Sequence, residues 1–130
     1  MKGFILVAHG SRRAAANEEI AGFAQRMTAA MKGGFDLVGH GFWELAEPSL
    51  GQVIDAQVAA GARDITLFPY FLAEGKHVVN DLPSVLTEKK EQYPGVKLTL
   101  LPHLGAVPGF DQWLAGQLQG DDEIPPQPSP

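Results

Sequence analysis

Four short apolar runs recur along this chain, and each is followed by a stretch with helical spacing. The first run, Gly3 to Ala8, leads into Ile20, Phe23, Ala24, Met27, Ala30 and Met31, which fall on one helical face. Ser11 is the expected N-cap of that helix, and Gly33-Gly34 its stop. A second strand is expected from Phe35 to Phe42. The helix after Pro48 buries Leu50, Val53, Ile54 and Val58 and stops at Gly61. Ile65 to Phe68 form the third strand, ended by Pro69. Asp81 is the expected N-cap of the next helix, with Pro83 in its first turn, Leu82, Val85 and Leu86 inward, and Pro94-Gly95 at its end. Val96 to Leu101 make the fourth strand, and a last helix carries Phe110, Trp113, Leu114 and Leu118.

Strands alternating with helices specify an α/β fold: three αβα layers around a four-stranded parallel sheet, with right-handed connections. The 130 residues suffice for one domain with a real core, here expected over residues 1–120. The last stretch, DDEIPPQPSP (121–130), is acidic and proline-rich and reads as a disordered tail.

Composition narrows the chemistry. The chain has no cysteine, which removes disulfides, thiolate metal sites and thiol catalysis. Its formal net charge of -5 provides no basic footprint for nucleic acid. Lys2 precedes an apolar stretch, but that stretch is too short for a signal-peptide core, and Arg12 and Arg13 close it. No apolar run reaches membrane-spanning length. The expectation is a soluble, cytoplasmic protein.

Open parallel sheets bind ligands beyond the carboxyl ends of their strands. The polar residues after each strand are therefore the candidates. His9, Gly10, Ser11, Arg12 and Arg13 follow the first strand, and Glu44 and Glu47 the second. The loop with Glu74, Lys76 and His77 follows the third, and His103 the fourth. Three of the four histidines thus fall at one rim, while His40 lies within the second strand. Two imidazoles and a carboxylate suit a borderline divalent metal and also accept protons near neutral pH. The spacing alone is a weak signal, because no HExxH or tight histidine pair is present. A loop histidine is more often a hydrogen-bonded surface residue than a ligand. Glu44 also reads as an exposed rim carboxylate, Glu47 as a helix N-terminal charge, and Arg12, Arg13 and Lys76 as solvated charges. His40 reads as a structural strand residue, and His103 as a turn residue beside Pro102.

Several segments together resemble the small CbiX-type sirohydrochlorin chelatases, among the class II tetrapyrrole chelatases. They are VAHGSRRAAANEE, FWELAEPSL, FPYFLAEGKHVVNDLP and LPHLGAVP, in the family's order, spanning Phe4 to about Leu118. The chain departs from the family in Gly39-His40-Gly41, where apolar strand residues are usual, and in Trp43. The resemblance implies a chelatase-like fold and insertion of Co(II), Fe(II) or Ni(II) into sirohydrochlorin without nucleotide, for cobalamin or siroheme biosynthesis. By the same resemblance His9 and His77 match the paired metal-handling histidines, Glu44 the glutamate beside them, and the chain the short form that pairs as a homodimer.

The implied chemistry removes two pyrrole protons as the metal enters. His9, His77 and Glu44 are the expected metal and proton residues. Gly10 lets the backbone turn tightly. Ser11, Arg12, Arg13 and Lys76 face the substrate carboxylates, and Phe71, Leu72 and Trp43 the ring. Two other readings use the same residues. A non-catalytic metal or tetrapyrrole carrier needs no further group. A histidine-phosphatase-like enzyme is suggested by Leu6-Val7-Ala8-His9-Gly10, but Ala8 stands where that family carries its phosphate-gripping arginine.

Overall fold

In the computed structural model, β1 (Lys2–Ala8) sends alternate side chains into two apolar cores. Ile5 and Val7 enter one; Phe4 and Leu6 enter the other. A strand buried on both faces needs an unbroken apolar run, and FILVA supplies it. Ile5, Leu6 and Val7 are fully buried, and such side chains each stabilise the fold by about 1.5–3 kcal/mol.

The structure describes residues 1–73 and 75–120, with the backbone alone for residues 76–80. The expected tail, residues 121–130, lies outside the described residues. Strands β2 (Leu37–Phe42), β3 (Asp64–Pro69) and β4 (Lys97–Leu100) join β1 in one parallel sheet of order β2-β1-β3-β4. The sheet grows from β1 outward to β2, then reverses across β1 to β3 and β4. Right-handed crossovers in opposite directions place their helices on opposite faces. Accordingly α1 (Ala14–Ala30) covers the Phe4–Leu6 face. Helices α2 (Leu50–Ala59) and α3 (Lys76–Gln92) cover the Ile5–Val7 face through Leu50, Ile54, Leu82 and Leu86. The expected three layers and four parallel strands are present.

Local departures from the expected boundaries have physical causes. Arg13 occupies the N-cap position of α1, and Ser11 lies two residues before it. Ser11 instead accepts the Arg13 N–H on its hydroxyl at 3.0 Å, closing a turn. The second strand begins at Leu37, because Phe35 turns into the α1 core against Phe4, with ring centroids 5.5 Å apart. Helix α3 begins at Lys76 after an extended Gly75, so Asp81 lies within it and Pro83 in its interior. Pro83 lacks one helix hydrogen bond, but it sits on the exposed side. Its carbonyl accepts the Thr87 hydroxyl at 3.0 Å, and its neighbours Leu82 and Leu86 anchor the helix in the core.

Helix α2 starts with a capping box: Ser49 Oγ accepts the Gln52 N–H, and Gln52 Oε1 accepts the Ser49 N–H. The family departure Gly39-His40-Gly41 belongs to the packing of this helix. A Cβ on Gly41 would lie 3.0 Å from Leu50 Cα, and one on Gly39 3.0 Å from Val53 Cγ1. The glycines therefore let α2 lie close on the edge strand. β2 still pairs with β1 in unbroken register through Phe42.

The last helix, α4 (Phe110–Gln119), follows a 3₁₀ turn at Leu104–Ala106 and has that turn as its main neighbour. Its Trp113, Leu114 and Leu118 are exposed. Among the described residues no helix is long and apolar enough to cross a membrane.

Candidate active site

The reversal of strand order falls between β1 and β3, and this switch point is where open α/β sheets form a ligand crevice. His9 follows β1, and Tyr70 and Phe71 follow β3. The two exits are stitched together, because the Tyr70 N–H donates to the Val7 carbonyl at 2.7 Å. The exposed His9 ring lies on Phe71, with centroids 4.4 Å apart. Phe71 is itself buried, so it forms the floor beneath His9. Leu72, next along, is 71% exposed and open to a ligand.

Glu44 reaches the same rim from the other side of β1. The Trp43 N–H donates to the Ala8 carbonyl at 2.7 Å, and the Glu44 N–H to the His9 carbonyl at 2.9 Å. β2 pairing thus extends past the sheet and draws Glu44 beside His9. The approach is close enough to require Gly10: its φ is +93°, and a Cβ there would collide with the Glu44 carbonyl oxygen. Leu45, the next residue, is exposed and holds the left-handed backbone at φ 65°.

Lys76 and His77 begin α3, after the loop from β3. Their backbone therefore starts at the same carboxyl rim, while their side chains, and Glu74 as a whole, lie outside the described residues. Among the described residues no three His, Cys, Asp or Glu side chains converge as a metal site. The expected trio of His9, Glu44 and His77 includes one of those undescribed side chains. Arg12 and Arg13 are exposed where the chain enters α1, whose N-terminal N–H groups favour negative charge. Glu47 is exposed ahead of α2.

The remaining histidines stand apart in kind. His40 lies in β2 opposite Leu6, half-buried, with its ring edge-on to Phe42 at 5.4 Å. Burial lowers its pKa and favours the neutral ring. His103 occupies the N-cap position of the 3₁₀ turn after β4.

A cleft of about 310 Å³ opens beside His9, lined by Gly10, Ser11, Asn17, Glu19, Ile20 and Tyr70 among others. A larger groove of about 600 Å³ runs between the outer edge of β2 and α2, lined by Val38, His40, Gln52 and Gln57 among others. It lies along the sheet edge, away from the switch point, and size alone does not make it the site. The sequence reading missed Asn17, Leu45 and Tyr70. The one signal pointing to Asn17 was a poor helix former within the second turn of an alanine-rich helix.

The CbiX family model matches residues 3–120. The chain is 32% identical over 103 residues to the chloroplastic sirohydrochlorin ferrochelatase of Arabidopsis thaliana, covering 79% of this chain and 45% of that protein. It is 35% identical over 86 residues to the sirohydrochlorin cobaltochelatase of Methanococcus aeolicus, covering 66% of this chain and 59% of that one. The matches thus span about half the length of these two relatives. The crystal structure of the CbiX protein from Marinobacter aquaeolei VT8 superposes with a TM-score of 0.75 at 26% identity, over 93% of this chain and 97% of that chain. With the family model reaching all four strands and spanning all the helices, and with the rim motifs in family order, this chain belongs to the CbiX family.

Proposed function

We propose that this protein is a sirohydrochlorin chelatase that inserts a divalent metal, cobalt first and iron or nickel as alternatives, without nucleotide. The observation that carries the reading is the joining of His9, at the end of β1 beside the switch point, to Glu44, beyond β2, through one main-chain hydrogen bond. The named activities of the Arabidopsis and Methanococcus relatives, ferrochelatase and cobaltochelatase, support it.

In this reading M(II) is a substrate. His9 and His77 hold the incoming ion, and Glu44 adds a carboxylate ligand or takes a proton from a histidine. As the metal passes into the macrocycle, two pyrrole N–H protons leave, and the imidazole nitrogens it vacates accept and relay them. Arg12, Arg13 and Lys76, with Ser11 and the α1 N-terminus, face the carboxylates of an acidic macrocycle. Leu72 and the neighbourhood of Phe71 and Trp43 meet its ring face. Such local cations are needed because the protein as a whole is acidic.

The functional unit in this reading is a homodimer. The exposed Trp113, Leu114 and Leu118 of α4 support it, since one helix face with this much apolar surface is unusual on an isolated chain.

The test is absorbance-monitored metallation of sirohydrochlorin with Co(II), Fe(II) and Ni(II) side by side, using catalytic amounts of protein. Multiple turnovers with at least one metal are expected. Stoichiometric binding without turnover would make the protein a carrier and overturn the proposal.

A further inference from the structure

We propose that Asn17 is a positioning residue for the metal-handling turn, holding His9 in place through Ser11. Residues 9–13 connect β1 to α1 outside both elements. On its leading side this turn is fixed by the sheet and by the Glu44 N–H donating to the His9 carbonyl. On its trailing side the Arg13 carbonyl accepts the Ala16 and Asn17 N–H groups of α1, and between these ends one side chain of α1 holds Ser11. Asn17 Oδ1 accepts the Ser11 N–H at 3.0 Å, and Asn17 Nδ2 donates to the Ser11 carbonyl at 2.7 Å. The amide thus satisfies both main-chain groups of one residue, as a neighbouring strand would.

The position makes this clamp matter to His9. Gly10 lies between His9 and Ser11 in a left-handed conformation that only glycine adopts freely, so it is the natural hinge of the turn. With Ser11 held, the hinge is fixed at both ends, and the His9 backbone has one orientation over Phe71. With Ser11 released, residues 10–12 swing between Gly10 and the Arg13 carbonyl that α1 holds. The ordering must then be supplied each time metal and macrocycle bind. Asn17 rides on α1, whose Ile20, Phe23 and Ala24 are packed against the sheet, so the clamp stands on a rigid support. Asn17 and Ser11 also line the cleft beside His9.

Only a primary amide fits both bonds. Aspartate keeps the shape and the acceptor but has no donor for the Ser11 carbonyl, and it sets a negative charge against that oxygen. Alanine removes both bonds. The inference rests on the reading of His9 as a metal-handling residue, so His9→Ala is measured alongside.

The experiment is steady-state Co(II) insertion into sirohydrochlorin by the full chain and by Asn17→Asp, Asn17→Ala and His9→Ala. Thermal melts and amide hydrogen exchange at Ser11 accompany it. Asn17→Asp and Asn17→Ala are expected to lower kcat about tenfold or more, the loss typical of residues that orient metal-handling groups. The KM for sirohydrochlorin rises as well, because Ser11 and Arg12, which face its carboxylates in this reading, ride on the released turn. Ser11 amide exchange accelerates in Asn17→Ala, and the Asn17→Asp melt falls by no more than the loss of one hydrogen bond accounts for. Wild-type kcat in either Asn17 variant overturns the proposal. So does a loss of kcat in Asn17→Asp that is matched by a collapse of its melting temperature, which marks a general structural role. Full activity in His9→Ala overturns the underlying site reading instead. An inactive His9→Ala beside fully active Asn17 variants overturns the clamp alone.

Discussion

The His9 carbonyl and the Glu44 N–H form a hydrogen bond of 2.9 Å, although the residues belong to different strand exits. Gly10 makes that bond possible, because its missing side chain leaves room for the Glu44 carbonyl. Gly10→Ala is therefore predicted to be costly twice over. The left-handed backbone at φ +93° alone costs about 1–3 kcal/mol with a side chain present, and the collision pushes the two strand exits apart. Urea unfolding checks the stability loss, and the metallation rate is expected to fall further than stability alone requires. Wild-type stability and rate in Gly10→Ala would show that the exits do not need this contact.

Leu45 is the opposite case. It holds φ 65° without being glycine and is 54% exposed. A leucine in this region costs about 1–2 kcal/mol, while a glycine there gives back about half of the gain as unfolded-chain entropy. Leu45→Gly is predicted to raise stability by about 0.5–1 kcal/mol, read as a higher urea midpoint at unchanged slope. A lower midpoint would mean that the leucine side chain makes folded-state contacts worth more than its strain.

Helices α2 and α3 are bridged by Asp55, which accepts hydrogen bonds from Lys89 Nζ at 2.8 Å and Tyr93 OH at 2.7 Å. Partial burial by itself raises the Asp55 pKa. The bonds from Lys89 and Tyr93, with the Lys89 charge, outweigh it and hold the carboxyl below its ordinary 3.8. Tyr93 is shifted above 10.0, first by its bond to Asp55, then by burial and the Asp55 charge. The Asp55 contribution is thus present above about pH 3.8 and lost as pH falls through its lowered folded value. The Tyr93 contribution is present below pH 10.0 and lost as pH rises through its raised folded value. Asp55 is 44% exposed, so solvent screening keeps its ion pair below about 1 kcal/mol. Asp55→Asn is predicted to flatten both limbs of the stability–pH curve, measured by urea unfolding across the range. Unchanged limbs would place the pH dependence elsewhere.

The exposed face of α4 tests the proposed pairing. Wild-type protein is predicted to sediment as a two-chain species. Leu114→Glu combined with Leu118→Glu is predicted to sediment as one chain with unchanged far-UV circular dichroism. Neither residue is buried in the chain itself, so the pair should fold normally. A single-chain wild-type species would remove the dimer from the account.

Much of this arrangement was legible in the residues. FILVA and ITLFP read as strands because a doubly covered sheet leaves little choice for their apolar runs, and the carboxyl ends of such strands form a rim. The placement of His9 and Glu44 at that rim was legible that way. Ser11 and Asp81 misled because serine and aspartate serve turns, helix starts and helix surfaces with the same short polar groups. Pro83 mimicked a helix start, whereas the packing of Leu82 and Leu86 carries the helix through it. Gly39 and Gly41 read as irregularities until the closeness of Leu50 and Val53 gave them a role. The Asn17 clamp was invisible, because no pattern in a single sequence marks which turn a helical asparagine will hold. The apolar period of α4 was plain, but periodicity does not say what covers a face.

The most direct test of the central claim is multiple-turnover Co(II) insertion into sirohydrochlorin by wild-type protein and by His77→Ala, with thermal melts of both. His77 stands in the first turn of α3 at the switch-point rim. The account predicts many turnovers for wild type, and for His77→Ala a melt like wild type with metallation reduced to the uncatalysed rate. Full activity in His77→Ala would contradict it.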